Sequence, residues 1–397
     1  MDNRKILIIV ENLPVPFDTR VWQEATTLVK NGYVVSVISP KGKGFEKEYE
    51  LIEGVHIYRH DLPLEGNGFI GYVREYYTAL KEEYRLAKKV YNDVGFDVIH
   101  GCNPPDNIFL IANRFKKYGV KYVFDHHDIC PELFYAKFKK KGLLYKSQIW
   151  LEKYTYKSAD MAFVTNQSYK KIAIERGNMN EESVFVLRSG PNLDRLKIQP
   201  PKKQIKKGKK YMIGYVGVIG QQEGIDYLLD AARYIKHDKG RDDIFFGIVG
   251  SGPYLSEVKE KIYDMQIEDI VQFTGRVSDE VLLDYLNTAD VCVNPDEYNE
   301  MNDKSTMNKI LEYMALGKPI VQFDLTEGRF SAQEASLYAE KNNAIDMADK
   351  MLYLLNNEEL RNKMGEYGRA RVVNKLSWEY TSQALLDGYN YLFDKFK

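Results

Sequence analysis

The stretch NDKSTMNKILEYMALGKPIV, Asn302 to Val321, reads as a helix, an abrupt stop and a buried strand. Ile310, Leu311, Met314 and Ala315 recur at helical spacing and form one apolar stripe. Ser305 or Thr306 suits the N-cap, where a hydroxyl satisfies an orphan amide. Gly317 ends the helix and Pro319 prevents its resumption. The strand that follows is a short continuous apolar run, the mark of a parallel sheet covered by helices on both faces. Two charges sit on this helix, because Lys309 and Glu312 lie three apart and project to one side. An exposed ion pair of that kind contributes only about 0–1 kcal/mol, so spacing alone leaves a surface role open. Amides at Ser305 and Thr306, with Lys304 just outside them, make an anion seat, and Glu312 further in can accept bonds from ribose hydroxyls. Diphosphate at the helix start and ribose at the carboxylate describe a nucleotide site.

The same strand-then-helix order runs through the chain. KILIIVENLPVPFDTRVWQEATTLVKNGYVVSVIS and, from Lys210, KYMIGYVGVIGQQEGIDYLLDAARYI followed by DIFFGIVGSGP begin alike. Further strands are expected at FDVIHG, KYVFDHH and MAFVTN, then at IVQFTG, DVCVNP and PIVQFD. That makes two doubly wound domains, 1–195 and 209–375. QPPKKQIKKGKKY, with six lysines and two prolines, supplies a linker at 196–208, and 376–397 is an apolar terminal helix. With 397 residues and a formal net charge of -1, the chain is large enough for two cores and ill suited to coating nucleic acid. Three cysteines without a C-x-x-C spacing provide neither a disulfide framework nor a zinc site and fit a reducing, cytoplasmic setting. The first apolar run is too short for a signal peptide, and none reaches membrane-spanning length.

Ligands of open parallel sheets bind beyond the carboxyl ends of the strands. The candidates there are His127 and Asp128 after KYVFDHH, where an imidazole beside a carboxylate can act as a base or bind a sugar hydroxyl. The glycine loop with Gly217, Val218 and Gly220 lets amides approach a phosphate, as does the turn Gly250, Ser251, Gly252. Arg276 and Val277 follow a strand and could meet a base edge. The glycine spacing is neither a dinucleotide fingerprint nor a P-loop, which argues against a nicotinamide dehydrogenase.

Taken in order, FDTRVWQEATTLVKNGYVVSVI, DVIHGCNPPDN, HHDICPEL, YVGVIG, GSGP, FTGRV, EYMALGKPIV and FDLTEGRFSA resemble the retaining family 4 glycosyltransferases of bacterial surface-polysaccharide assembly. The resemblance implies the GT-B fold: two Rossmann-like doubly wound parallel-sheet domains facing across a cleft, with the last helix crossing back to the first. It implies a nucleoside diphosphate sugar donor, commonly UDP-linked, on the second domain and a glycan or lipid-linked acceptor on the first. It also implies no metal and no cofactor. Glu312 matches the last Glu of the family's E-x7-E motif, which binds the donor ribose, whereas Lys304 stands where the first Glu would be. The Arg and Lys that usually grip the diphosphate are Val218 and Glu223 here. The positive charge is therefore expected to have moved to Lys304, Lys309 or Arg329, with Arg20. His127 matches the residue that contacts the donor sugar near its reacting carbon, and Asp18 and Asn103 fall in matched acceptor or phosphate segments. The missing cations also admit a catalytically silent sugar-nucleotide-binding partner of a polysaccharide complex, and the fold admits an epimerase or hydrolase.

AKFKKKGLLYKSQIWLEKYTYK, residues 136–157, carries seven lysines against Glu152, interleaved with Leu143, Leu144 and Trp150. A basic amphipathic segment of this kind suits an anionic membrane surface. The expected setting is cytoplasmic and peripheral at the inner face of the membrane.

Overall fold

The structure, a computed structural model, describes residues 4–62 and 68–395, the side chains of 68–75 excepted. The chain forms two compact units, Met1–Ser189 with Thr381–Lys397, and Gly190–Tyr380.

Eight strands build the first sheet: β1 (Lys5–Val10), β2 (Val34–Pro40), β3 (Tyr49–Ile52), β4 (Val55–His60), β5 (Val98–Cys102), β6 (Lys121–His126), β7 (Met161–Val164) and β8 (Val184–Val186). Their order is β3-β4-β2-β1-β5-β6-β7-β8, parallel throughout except for the β3–β4 edge hairpin. The chain starts mid-sheet, winds outward, and returns beside its start, so strand order reverses between β1 and β5. The crevice at their carboxyl ends is the natural ligand position in such a sheet. Runs such as KILIIV suit a central strand, buried on both faces with no solvent-facing polar alternation.

The second sheet contains β9 (Tyr211–Val216), β10 (Ile244–Val249), β11 (Val271–Phe273), β12 (Val291–Asn294), β13 (Ile320–Phe323) and β14 (Ser336–Ala339). It is parallel with order β11-β10-β9-β12-β13-β14, and the reversal falls between β9 and β12. Gly224, after β9, has φ +67°, and a Cβ there would lie 1.9 Å from the Pro295 carbonyl oxygen after β12. Only glycine lets those two loops close on each other.

Two boundaries differ from the sequence expectation. Residues 196–208 do not form a free linker: Gln199 and Lys202 amides donate to Asn287 and Thr288, and Lys202 and Lys206 ammonium groups bond Asp284 and Asp290. All of those partners lie more than 80 residues downstream in the second unit, so the local lysine and proline content could not reveal them. The units part at 189/190 and again at 380/381. Trp378, whose amide donates to Pro191 at 3.2 Å, stays with the second unit.

The helix Gln383–Lys395 packs on β7 and β8 of the first unit, burying Leu385, Tyr389 and Leu392. Gly388 is required there, since a Cβ would meet the Phe163 ring at 2.6 Å. Arg4 lies over the Phe393 ring, 3.9 Å from its centroid.

Candidate donor and acceptor sites

In the first unit the carboxyl ends of β1, β5 and β6 bring Arg20, Asn103, His127 and Asp128 together. Asp18 caps the helix Thr19–Lys30 by accepting from the Val21 amide at 3.1 Å. Two residues on, within the first turn, Arg20 is directed inward and is only 8% exposed. Its guanidinium donates to Asp125 at 2.7 Å, to the Leu187 carbonyl and Ser189 hydroxyl at 2.9 Å each, and lies 3.1 Å from Glu24. His127 Nε2 stands 2.8 Å from Arg20 Nε and 2.5 Å from Asp125 Oδ2. With its proton on Nδ1 the ring accepts from Arg20, and with the proton on Nε2 it donates to Asp125, so the tautomer selects the partner. His100 closes the network, with Nδ1 2.8 Å from the Tyr389 hydroxyl and Nε2 3.3 Å from Asp125.

Burial alone would push Asp125 up, but Arg20 and His127 outweigh it and hold the carboxyl well below its usual range. Glu24 goes the other way, raised by burial and by the Asp125 charge. Glu24, His100, Cys102 and Asp125 are a group among the described residues close enough to share a metal ion. Their chemistry does not fit one: burial pushes the Cys102 thiol up, away from the thiolate a metal needs, and Arg20 already brings a cation to Asp125 and Glu24.

Asn103 builds the turn that carries His127 and Asp128. Its Oδ1 accepts from the His127 amide at 2.6 Å and the Asp128 amide at 3.1 Å, while Nδ2 donates to the Asp128 carbonyl at 2.6 Å and Asp106 at 2.7 Å. One side chain from β5 thus fixes the loop after β6. Burial raises the Asp128 carboxyl above its usual range.

In the second unit three glycine turns interlock. The Gly217 amide donates to Val249, the Ile219 amide to Ser251, and the Gly250 amide to Gly275, each at 3.1 Å. A Cβ at Gly250 would lie 1.8 Å from the Gly217 carbonyl oxygen. The turns with Gly217, Val218 and Gly220, with Ser251, and with Arg276 and Val277 therefore form one surface, and Val218 is exposed on it.

The opening stretch departs from its expected form. The helix spans Asn308–Ala315, with Met307 at the N-cap and no side-chain cap bond, so neither Ser305 nor Thr306 caps it. Both residues instead follow a separate short helix, Glu300–Lys304. Lys304 lies 2.7 Å from Glu300, and Arg329 lies 2.7 Å from Asp324 with its guanidinium 4.0 Å from the Tyr338 ring centroid. Lys309 reaches the first of the glycine turns. It is bonded to Asp296 at 2.9 Å and Glu223 at 3.0 Å, and its Cε lies 3.4 Å from where a Gly217 Cβ would stand. Burial disfavours its charge, yet Asp296, Tyr215 and Glu223 outweigh that and hold it protonated. Burial and the Glu223 charge push Asp296 up to about 7, against the pull of Lys309.

Glu312 Oε1 accepts from Arg195 at 2.9 Å, and Arg195 also grips Asp279 through two bonds of 2.6 and 2.9 Å. Burial raises the Glu312 carboxyl, partly offset by Arg195. Asp125, Glu24, His100, Arg195 and Asp296 were not found from sequence. A carboxylate inside the apolar strand VFDHH was the available sign for Asp125, but Arg195 had no local signal.

Two parallel α/β units with polar constellations at their carboxyl edges define a nucleotide- and sugar-handling class of protein. Residues 197–371 match the family described as Glycosyl transferases group 1, and residues 18–195 match Glycosyltransferase Family 4. The chain belongs to the family 4 glycosyltransferases of GT-B fold and is an enzyme. It is similar to the capsular polysaccharide biosynthesis glycosyltransferase CapM of Staphylococcus aureus, 26% identical over 63% of this chain and 66% of that protein. Among solved structures, sucrose-phosphate synthase from Thermosynechococcus elongatus superposes with a TM-score of 0.80 at 18% identity, covering 99% of this chain and all of that one. Anabaena Alr3699/HepE in complex with UDP and glucose gives 0.75 at 14% identity, covering 98% and 100%.

Proposed function

We propose that the enzyme is a retaining, metal-independent glycosyltransferase. It moves a sugar from a UDP-linked donor held by the second unit to a glycan or lipid-linked glycan in cell-surface polysaccharide biosynthesis. The observation that carries this reading is that one short helix carries both Glu312, held by Arg195, and Lys309, which reaches the first of three interlocked glycine turns. Glu312 binds the ribose, and Lys309 meets the diphosphate where Glu223 stands in place of the family's lysine. In the transfer the bond between the anomeric carbon and the diphosphate oxygen breaks, and the acceptor oxygen takes that carbon on the same face. The acceptor's proton passes to the departing diphosphate, whose charge Lys309 stabilises. His127, held by Asp125 and Asn103, orients the sugar. A relative named for capsular polysaccharide and a similar structure that holds UDP support the substrate classes.

Calorimetric titration with UDP, GDP, ADP and CMP tests this. One diphosphate is expected to bind, and Glu312→Gln to weaken it by about 1–3 kcal/mol, the worth of a charge-assisted hydrogen bond. Unchanged affinity in that variant would remove Glu312 from the ribose.

The basic segment supports a membrane-facing role. In the helix Leu143–Ser158 the buried residues are Glu152, Thr155 and Tyr156, and Glu152 pairs internally with Arg176. Leu143 is 83% exposed and Trp150 51%, with Phe138 just upstream also exposed. The segment thus turns Glu152 inward and leaves Phe138, Leu143 and Trp150 outward among lysines, which suits an anionic bilayer interface. Each lysine near such a surface contributes roughly 1 kcal/mol. Changing Lys137, Lys140 and Lys141 to Glu is therefore expected to cut partitioning onto phosphatidylserine vesicles at low salt by at least about 100-fold. Equal sedimentation of both proteins with the vesicles would end the proposal.

A further inference from the structure

We infer that a cavity on the first unit is a distal subsite for an oligosaccharide acceptor, an inference that rests on the glycosyltransferase reading above. The cavity, of about 360 Å³, lies where the β3–β4 hairpin meets the helix Gly68–Asp93. That size is within the roughly 300–1,000 Å³ range of small-ligand sites.

Its position links it to the candidate acceptor edge. Tyr58, Ile38, Ile9, Gly101 and Phe124 are register partners across the five parallel strands β4, β2, β1, β5 and β6. His60, which lines the cavity, is two residues beyond Tyr58, just as His126 is two residues beyond Phe124. The cavity therefore opens at the same carboxyl edge as His127, four strand spacings away, or about 19 Å at roughly 4.8 Å each. A monosaccharide cannot reach both places, whereas an oligosaccharide can.

Its lining suits a neutral polyhydroxylated ligand. Tyr49 presents an exposed ring for stacking on a sugar face, and its hydroxyl, 3.0 Å from His56, fixes the ring's setting. At the rim Lys41 pairs with Asp61 at 3.1 Å and Arg85 with Glu82 at 2.8 Å. These pairs set donors beside acceptors, which suits hydroxyl groups, since they both donate and accept. Deeper, His60 is 3% exposed, and its Nε2 has no hydrogen-bond partner among the described residues. A buried nitrogen without a partner has lost its water and gained nothing in return, and a ligand hydroxyl would satisfy it. Burial lowers the His60 pKa, so the ring is neutral and one nitrogen remains an acceptor.

The test is an array of bacterial surface oligosaccharides probed with the full-length chain, its Tyr49→Ala variant and its His60→Phe variant, alongside UDP calorimetry on each. Tyr49 is exposed, so its loss leaves the core intact. Some oligosaccharides are expected to bind the wild type, with at least tenfold weaker signal in both variants and unchanged UDP affinity. Glycans held equally by all three proteins, or UDP binding with no glycan binding, would overturn the subsite while the glycosyltransferase reading stands. Glycan binding that needs Tyr49, without UDP binding, would keep the subsite and remove the donor assignment. Silence from both ligands would overturn both.

Discussion

Arg20→Ala is expected to destabilise the first unit by about 3–5 kcal/mol, because it strands a buried charge rather than removing a surface one. Asp125 is fully buried and ionised on account of Arg20 and His127. Without the guanidinium, Asp125 keeps the two imidazoles and the weak Cys102 thiol donor, and the Leu187 carbonyl and Ser189 hydroxyl lose the Arg20 donor. Urea unfolding of the wild type, Arg20→Ala and the double variant Arg20→Met/Asp125→Leu separates the contributions. The double variant is expected to recover much of the stability, since an apolar pair of similar volume removes the stranded charge along with its partner. It should remain inactive, because His127 has lost the groups that set its ring. Arg20→Ala unfolding at the wild-type midpoint would show that the network contributes nothing to stability.

Lys309→Met is expected to lower kcat/KM by about 100- to 1,000-fold, the range for losing one preorganised group from a charge-stabilising site. The same substitution strands Asp296 and Glu223, so the informative protein is Lys309→Met/Asp296→Asn, which relieves that repulsion and should stay folded and inactive. A pH series reports on the same contact. Asp296 competes with the diphosphate for Lys309 while ionised and releases it when protonated, at a pKa of about 7. UDP affinity of the wild type, divided by that of Asp296→Asn, should therefore rise as pH falls through about 7. The ratio cancels the titration of the phosphate itself, whose second pKa is about 6. A flat ratio would place the diphosphate away from Lys309.

The strands expected at KYVFDHH, DVCVNP and PIVQFD are β6, β12 and β13, and the helix ending at Gly317 is present. Such elements are legible because their cause is local: an apolar run that no exposed strand tolerates, and a glycine with φ +65° followed by proline. The parallel architecture followed from the alternation of those runs with helical patterns. Glu312 and His127 were singled out through the ordered motifs of the family, and their roles in the site are part of the proposal.

What charge each site carries was decided only by tertiary structure. Lys309 meets Glu223 from 86 residues away and Asp296 from 13, and Glu312 meets Arg195 from 117. Arg20 was expected from sequence to help neutralise the diphosphate, yet its place in the first turn of its helix points it at Asp125, 105 residues on. The 136–157 segment shows the same division. Its lysines and aromatics were plain in the sequence, but whether the apolar side faced a core or solvent depended on Glu152 finding Arg176 inside. Periodicity acts over a few residues and selects elements. An ion pair depends on where two distant elements come to rest, and only the packed sheet and its loops settle that.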